Sequence, residues 1–142
     1  MKKALTLIEV LLSIAIITII FGLSVPFYQT FQIDSAFNTT ISDIRQNLYR
    51  AESLARNSEE DSSWGSRIEN QQIYLYKGND FSNRNQNFDE ITSLPRTITV
   101  SGNPDINFNK STGIPNHNLI INITSTTHKT ASISINAQGE ID

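Results

Sequence analysis

The chain has no cysteine, only two histidines and a single tryptophan among its 142 residues. The lack of cysteine excludes a disulfide framework, a thiolate nucleophile and a cysteine-based zinc site. The two histidines, His117 and His128, fall in predicted turns, and neither has a second ligand at the spacing of a metal motif. A G-x-S-x-G nucleophile elbow is also absent from the sequence. We therefore expect no catalytic residues, no metal site and no cofactor, and we do not predict an enzyme.

Positive charge is also scarce, with 11 lysines and arginines against 14 aspartates and glutamates. A net negative chain binds nucleic acid poorly, because the phosphate backbone is recognised by a cationic surface. The tail Gly139–Asp142 is acidic and does not form a basic arm. The cations of the C-terminal region are scattered along the sequence: Arg67, Lys77, Arg84, Arg96, Lys110 and Lys129. The sequence thus disfavours nucleic acid as a partner.

What the sequence does have is one long apolar run near its start, from Ala4 to Gln29. Glu9 is the only charge in this run, and Lys2 and Lys3 precede it. A bilayer is spanned by ~20 helical residues, and the uncharged part of the run has about that length. The run is too long for the core of a cleaved secretory signal, and no small-residue cleavage site follows it. From these residues alone we predict an uncleaved transmembrane anchor at about residues 5–28, with the lysines on the cytoplasmic side.

A second apolar pattern, one-sided rather than continuous, follows the run. Its members recur three and four residues apart, as on one face of a helix: Phe37, Ile41, Ile44, Leu48, Ala51 and Ala55. We predict one helix over residues 5–56, in the membrane in its first half and packed on a domain in its second. Gly22 and Pro26 interrupt this helix, and because proline removes a backbone donor we expect a kink there.

Residues 57–142 are predicted to form a β-rich globular domain. The strand patterns are Ile73–Tyr76, Thr97–Ser101, Ile106–Asn109, Leu119–Thr124 and Ala131–Ile135, with the second and third of these flanking a turn at residues 102–105. The polar residues 77–90 are predicted to be a loop. Oxygen-bearing side chains alternate there from Asp80 to Asp89, as calcium ligands can, but Arg84 stands among them and the central glycine of an EF-hand is missing. We favour a polar surface loop and leave open whether it binds an ion or a partner.

The start of the chain, Lys2 to Val10 (KKALTLIEV), resembles the class III signal of type IV pilins and type II secretion pseudopilins. In that family a prepilin peptidase removes a short basic leader, the new N-terminal residue is methylated, and a glutamate stands at the fifth mature position. The resemblance implies a leader peptide at residues 1–4, cleavage between Ala4 and Leu5, methylation of Leu5, and Glu9 as the assembly glutamate. The chain departs from the commonest pattern, which has glycine at the position of Ala4 and phenylalanine at that of Leu5.

Glu9 is costly in a bilayer unless its charge is compensated. The resemblance implies that Glu9 pairs with the N-terminal amine of a neighbouring subunit. The residues themselves leave a second interpretation open, in which Glu9 lies close to the cytoplasmic interface and reaches water by itself.

The resemblance further implies the pilin fold, of class α+β: one long N-terminal helix, transmembrane in its first half, packed on a C-terminal antiparallel β-sheet domain. Short motifs, among them Trp64-Gly65 and Ile133-Ser134-Ile135, resemble minor pseudopilins of the GspH/FimT type. The implied function is that of a minor pilin or pseudopilin subunit of a type II secretion pseudopilus or type IV pilus. The alternative that the family offers is a pilus-tip DNA-binding subunit for DNA uptake (competence).

The resemblance also implies the partners and the location. The expected partners are other pilin or pseudopilin subunits, the prepilin peptidase, the inner-membrane assembly platform and the membrane itself. The subunit would cross the inner (cytoplasmic) membrane once, with its N-terminus cytoplasmic and its C-terminal domain outside, before it enters the pilus or pseudopilus. Secretion, twitching and competence machines share this N-terminus, so the sequence leaves the machine open.

Overall fold

A computed structural model describes residues 6–102 and 104–142 of the chain, without the side chains of residues 23–27. It begins with helix α1 (Leu7–Arg56), followed by a short 3-10 turn (Glu59–Asp61). Seven strands complete the chain: β1 (Trp64–Glu69), β2 (Gln72–Lys77), β3 (Asn85–Ser93), β4 (Ile98–Val100), β5 (Asp105–Phe108), β6 (Leu119–Ser125) and β7 (Thr130–Ile135). The strands pair antiparallel, so the predicted α+β class is confirmed.

Helix α1 is capped at both ends. At its start the Thr6 hydroxyl accepts a hydrogen bond from the Glu9 amide at 3.3 Å, and at its end the Asn57 amide donates to the Ser53 carbonyl at 3.0 Å. The predicted apolar stripe of the second half is confirmed: Ile41 is half-buried, and the buried members are Phe37, Ile44, Leu48, Ala51 and Ala55. This stripe is the part of α1 that packs on the strands.

The strands form two sheets, where the sequence analysis expected one. Sheet 1 has the order β3-β2-β1-β5, and sheet 2 has the order β4-β6-β7. Strands β4 and β5 lie on either side of the predicted turn, as expected, but they belong to different sheets, because β5 pairs with β1 and β4 pairs with β6. Both pairings place an isoleucine in the core, Ile98 at 0% and Ile106 at 1% exposed. Burial rather than the local turn therefore decides which sheet each strand joins.

The prediction of a loop over residues 77–90 is wrong in its second part, because β3 occupies Asn85–Ser93. None of the residues of β3 is buried, so the strand carries no alternation of apolar and polar side chains. Its only anchor in the core is Phe88, which meets Trp64 edge-on with ring centroids 6.3 Å apart. A strand held by backbone pairing rather than by burial leaves no periodic signal in a sequence.

The core lies between the second half of α1 and the two sheets. Trp64 at the start of β1 is 4% exposed, and its indole N–H donates to the Glu59 carbonyl at 3.0 Å. The remaining strand residues of the core are mostly isoleucines: Ile68, Ile73, Leu75, Ile98, Ile106, Phe108, Ile121, Ile123, Ile133 and Ile135. This core holds the β-domain and the second half of α1 together and leaves the first half of α1 outside.

Candidate functional site

The first half of α1 is the surface that the rest of the chain does not cover. We call Leu7–Phe21 the apolar half, and every residue in it is exposed. Leu7, Ile8 and Phe21 are its most exposed large side chains, at 80%, 75% and 71%. Tyr28 and Phe31 extend the exposed apolar surface toward the domain.

Exposure on this scale is costly for a helix in water. Burying one large aliphatic side chain contributes about 1.5–3 kcal/mol, whereas a whole small domain is stable by only ~5–15 kcal/mol. The isoleucines and leucines of the apolar half lie all round the helix rather than along one face. A helix of this kind needs apolar surroundings on every side, and lipid or other apolar helices can supply them.

The two hydroxyls within the apolar half are satisfied by the helix itself. Ser13 donates to the Glu9 carbonyl at 2.7 Å, and Thr18 donates to the Ile14 carbonyl at 2.8 Å. Because both hydroxyls bond to the preceding turn, they need no outside partner. They therefore do not interrupt the apolar surface.

Glu9, the predicted assembly residue, lies exposed in the first turn of α1. Its amide donates to the hydroxyl and, at 3.1 Å, to the carbonyl of Thr6. Thr6 at the N-cap followed by Glu9 has the T-x-x-E pattern of a capping box, and the helix dipole favours a carboxylate at this end. This local role was not predicted, although the pattern is visible in the sequence. Among the described residues, the Glu9 carboxylate makes no ion pair.

The other predicted site residues are only partly described. Ala4 and Leu5, the cleavage and methylation residues, lie outside the described residues. Helix α1 continues through Gly22 and Pro26, and the side chain of Pro26 also lies outside the description. A Cβ on Gly22 would meet no atom within 4 Å, so no described contact requires a glycine there. The kink stays a prediction.

Residues 5–28 are predicted to form a transmembrane anchor. Within residues 6–102 and 104–142, no helix combines the length and the apolarity that crossing a membrane requires.

A second cluster, which the sequence analysis missed, lies on the face of sheet 1 opposite the core. Phe81 contacts two guanidinium groups, with Arg84 at 3.7 Å and Arg67 at 4.7 Å from its ring centroid. The edges of Tyr74 and Tyr76 complete the surroundings of Phe81, at centroid distances of 5.2 and 5.4 Å. We call these five residues the Phe81 cluster. They fasten the polar loop before β3 onto β2.

The ion pair between Arg84 and Asp89 closes the same loop. Arg84 Nε donates to Asp89 Oδ2 at 2.8 Å, and the two side chains are 15% and 7% exposed. Asp80 accepts from the side chain and the amide of Asn83, and these hydrogen bonds lower the pKa of Asp80. Of the oxygens considered as calcium ligands, those of Asp80 and Asn85 accept hydrogen bonds within the loop and Asp89 Oδ2 is paired with Arg84, whereas Asp89 Oδ1 is buried without a hydrogen-bond partner. In the described part of the chain, no three acidic or histidine side chains converge on a position where a metal could be held.

Tyr76 in the Phe81 cluster is fully buried, and its hydroxyl donates to Asp105 Oδ1 at 2.9 Å. Burial and the negative charge of Asp105 raise the pKa of Tyr76. The ring lies directly on Gly65, where a Cβ would meet it and would also come within 2.7 Å of the Ile106 carbonyl oxygen. Because a tyrosine with a raised pKa stays neutral near pH 7, it is not a general base. The arrangement is a packed polar network.

The cations considered for nucleic-acid contacts are neutralised locally. Among the described members of that set, Arg96 alone has no acidic partner. The ion pairs of the others are Arg67–Glu69, Arg67–Asp105, Lys77–Glu60, Arg84–Asp89, Lys110–Asp61 and Lys129–Asp34. Cations already bound to carboxylates of their own chain present little positive surface to a phosphate backbone. The DNA-binding alternative gains no support from this arrangement.

His117 and His128 are both exposed, each outside the strands. Neither joins a cluster of acidic or hydroxyl side chains through a hydrogen bond or ion pair in the described residues.

No protein-family model, no curated protein and no solved structure matches this chain. Its own residues and geometry therefore carry the argument for its function.

Proposed function

We propose that the chain is a minor pilin or pseudopilin subunit of the GspH/FimT type, which assembles with other pilin-like subunits into a type II secretion pseudopilus or type IV pilus. The proposal includes the pilin fold, cleavage by a prepilin peptidase between Ala4 and Leu5, and methylation of Leu5. The sequence from Lys2 to Val10 supports the processing steps, since it resembles the signal that this peptidase recognises.

The observation that carries the proposal is the contrast between the two ends of α1. Its second half is buried in the core, with Ile44 at 0% and Leu48 at 1% exposed. Its apolar half is exposed all round. A subunit that is stored in lipid and later packed among identical or related helices needs this combination, because both environments are apolar. A helix that serves only its own domain does not.

The proposal places residues 5–28 in the inner (cytoplasmic) membrane and the β-domain outside. Lys2 and Lys3 support this orientation, since basic residues beside an apolar segment stay on the cytoplasmic side. The peptidase, the inner-membrane assembly platform and neighbouring subunits are then the partners of the N-terminal region. No enzymatic activity is proposed.

Mass spectrometry of the mature chain tests the processing step. In cells with an active prepilin peptidase, we expect the chain to begin at Leu5 and to carry one methyl group on the new amine. In matched cells with an inactive peptidase, we expect the chain to retain residues 1–4. A chain that still begins at Met1 in the presence of the active peptidase would remove the processing claim.

Substitutions of Glu9 separate its assembly role from its capping role. Glu9→Gln keeps the capping pattern, which accepts either residue, but removes the charge that would meet a neighbouring amine. We expect both Glu9→Gln and Glu9→Ala to lower incorporation into filaments by about tenfold or more, the effect of ~1.4 kcal/mol. Membrane extraction of the same variants should be unchanged. If Glu9→Gln assembles as well as the parent chain, the cap alone explains Glu9.

A further inference from the structure

Sheet 2 has a fixed direction along α1. At one end, the loop between β6 and β7 is fastened to the helix at Asp34, which pairs with Lys129 at 2.7 Å and accepts a hydrogen bond from the Thr127 hydroxyl at 3.5 Å. At the other end, Tyr49 donates to the Ile141 carbonyl at 3.0 Å. The end fastened at Asp34 is therefore the one next to the apolar half. We call it the near end of the β-domain, and the opposite one the far end.

Two loops form the near end. The loop between β6 and β7 is joined to the start of β4, since the Thr126 amide donates to the Thr97 carbonyl at 2.9 Å. Arg96 directly precedes Thr97 and is exposed, as are His128 and Lys129 in the neighbouring loop. Of these cations, Lys129 is paired with Asp34, whereas Arg96 has no acidic partner in the described part of the chain. Arg96 is thus available to an anion from outside.

The two ends differ in charge. At the near end the carboxylates are paired, Asp34 with Lys129 and Glu69 with Arg67, which leaves Arg96 in excess. At the far end the described carboxylates outnumber the cations, and each cation is already paired with one of them. The acidic side chains there are Glu52, Glu59, Glu60, Asp61, Glu140 and Asp142, and the cations are Arg56, Lys77 and Lys110. An anionic surface therefore attracts the near end and repels the far end.

The position of the near end along α1 matches a headgroup layer when the apolar half lies in a bilayer. Tyr28 ends the proposed membrane segment, and tyrosine is enriched where hydrocarbon meets headgroups. Asp34 lies six residues further on, ~9 Å along the helix. The headgroup layer on each side of a bilayer is ~5–8 Å thick. The loops fastened at Asp34 therefore reach the outer boundary of that layer.

A groove of about 450 Å³ at the junction of α1 and the β-domain changes in polarity along its length. We call it the junction groove. Nearest the apolar half it is lined by Tyr28 and Phe31, which are 64% and 71% exposed. Beyond these rings the helix contributes an amide and two hydroxyls: Gln32, Ser35 and Thr39. Pro95, directly before Arg96, lines the groove from the β-domain, and Asp43 lies at its opposite end, ~14 Å beyond Asp34. A phospholipid has the same order of groups, with acyl chains below a polar headgroup.

We propose that the near end of the β-domain docks on the membrane that holds the apolar half, with a phospholipid headgroup in the junction groove and its phosphate paired with Arg96. The inference rests on the proposed function, because it requires the apolar half to lie in a bilayer. A subunit stored in the membrane is then held at two places, by its apolar half in the hydrocarbon and by its near end on the headgroups.

A short-range quencher attached to lipid headgroups tests the docking. The full chain, which has no natural cysteine, carries a dye at Thr126→Cys on the near end or at Gln138→Cys on the far end. It is reconstituted into vesicles of phosphatidylcholine alone, or of phosphatidylcholine with phosphatidylglycerol, that include a nitroxide-headgroup lipid. We expect stronger quenching at position 126 than at position 138. Quenching at position 126 should rise with phosphatidylglycerol and fall at high salt, which screens exposed charges.

Arg96→Gln and Arg45→Gln form a matched pair of variants. Arg45 is also exposed, but it lies ~17 Å beyond Asp34 along the helix, away from the membrane. We expect Arg96→Gln to lower the ratio of docked to undocked chain about fivefold, the effect of one cation at an anionic membrane surface. Arg45→Gln should leave this ratio unchanged. Trp64 fluorescence shows whether both variants keep the fold of the parent chain.

Equal quenching at position 126 in the two kinds of vesicle would overturn the proposal, and so would an equal response of the two variants. If the apolar half of a second copy filled the junction groove instead, the first of these results would be expected, since that contact does not depend on lipid charge.

Extraction of the same vesicles with alkaline carbonate separates failure of the docking from failure of the proposed function. A chain that resists extraction, but whose quenching does not depend on lipid charge, is anchored without being docked, so the docking alone is refuted. A chain that carbonate removes from the vesicles is not anchored by its apolar half, and both proposals are then refuted.

Discussion

The two halves of α1 differ in their surroundings, although both are rich in aliphatic side chains. In the second half, Ile44 and Leu48 are 0% and 1% exposed against the strands. In the apolar half, Ile17 and Ile19 are 52% and 62% exposed, and no described residue covers them. The same residue type therefore stabilises the fold in one half and offers a contact surface in the other.

This difference shows that only the second half of α1 contributes to the core of the β-domain. The second half closes the core, and polar contacts extend the packing at both its ends. Lys129 pairs with Asp34 at 2.7 Å near its start, and Tyr49 donates to the Ile141 carbonyl at 3.0 Å near its end. The apolar half contributes none of these contacts, so the packing of the β-domain places no constraint on its sequence.

The largest expected effect comes from comparing the same substitution in the two halves. Ile44→Ala opens a cavity in the core and should destabilise the domain by about 2–5 kcal/mol. Ile17→Ala removes the same atoms from an exposed position and should change stability by less than ~0.5 kcal/mol. Fluorescence of Trp64, the only tryptophan, reports unfolding of the full chain in detergent because this side chain is buried.

The claim that the two halves of α1 contribute differently to stability would be refuted if Ile17→Ala unfolded at the same lowered temperature as Ile44→Ala. That outcome would mean that the apolar half contributes to the stability of the domain, contrary to its exposure. If Ile17→Ala lowered incorporation into filaments and left the unfolding temperature unchanged, the two halves of α1 would have separate functions.

Much of this division was visible in the sequence. The apolar run and the one-sided stripe from Phe37 to Ala55 have different periodicities, and each predicts its own surroundings. The α+β class followed from alternating strands such as Ala131–Ile135. These features are strong because burial imposes a period on the residues that share a face.

The sequence did not predict what depends on distant partners. Strand β3 has only two partly buried residues, Phe88 and Asp89, so pairing with β2 is its main support, and its polar residues resembled a loop. The Phe81 cluster joins Arg67, from β1, to Arg84 in the loop before β3. The spacing of these two arginines in the sequence does not indicate that both contact the same phenylalanine. The capping pattern of Thr6 and Glu9 is local and can be recognised in the sequence.

A smaller effect is expected in the β-domain from breaking its most buried ion pair. Arg84→Gln leaves Asp89 buried without its cationic partner, which should cost about 2 kcal/mol of unfolding free energy. Arg50→Gln is the matched control, since its pair with Glu90 is about half exposed and should contribute at most ~1 kcal/mol.

Both changes should leave membrane extraction unchanged, because the apolar half does not depend on either pair. Thermal unfolding of the two variants gives the comparison directly. An equal loss of stability in the two would show that the exposure of these pairs does not govern their contribution, and the account of the Arg84 pair would be wrong.

The effect expected of Tyr76→Phe is smaller than that of Arg84→Gln, and it depends on pH. Burial and Asp105 raise the pKa of Tyr76 in the folded chain above the ~10 of an unfolded tyrosine. Its contribution to stability is therefore complete below pH ~10 and is lost as the pH rises through and beyond that value. At neutral pH, Tyr76→Phe should cost about 1 kcal/mol, because Asp105 Oδ1 loses its donor. Above pH ~10 the difference in stability between parent and variant should shrink, since only the parent must keep that proton to stay folded.

Tyr74→Phe, at a half-buried position of the same strand, controls for the general effect of alkali. A difference that stays constant from neutral pH into alkali would show that Tyr76 is not held neutral by its surroundings.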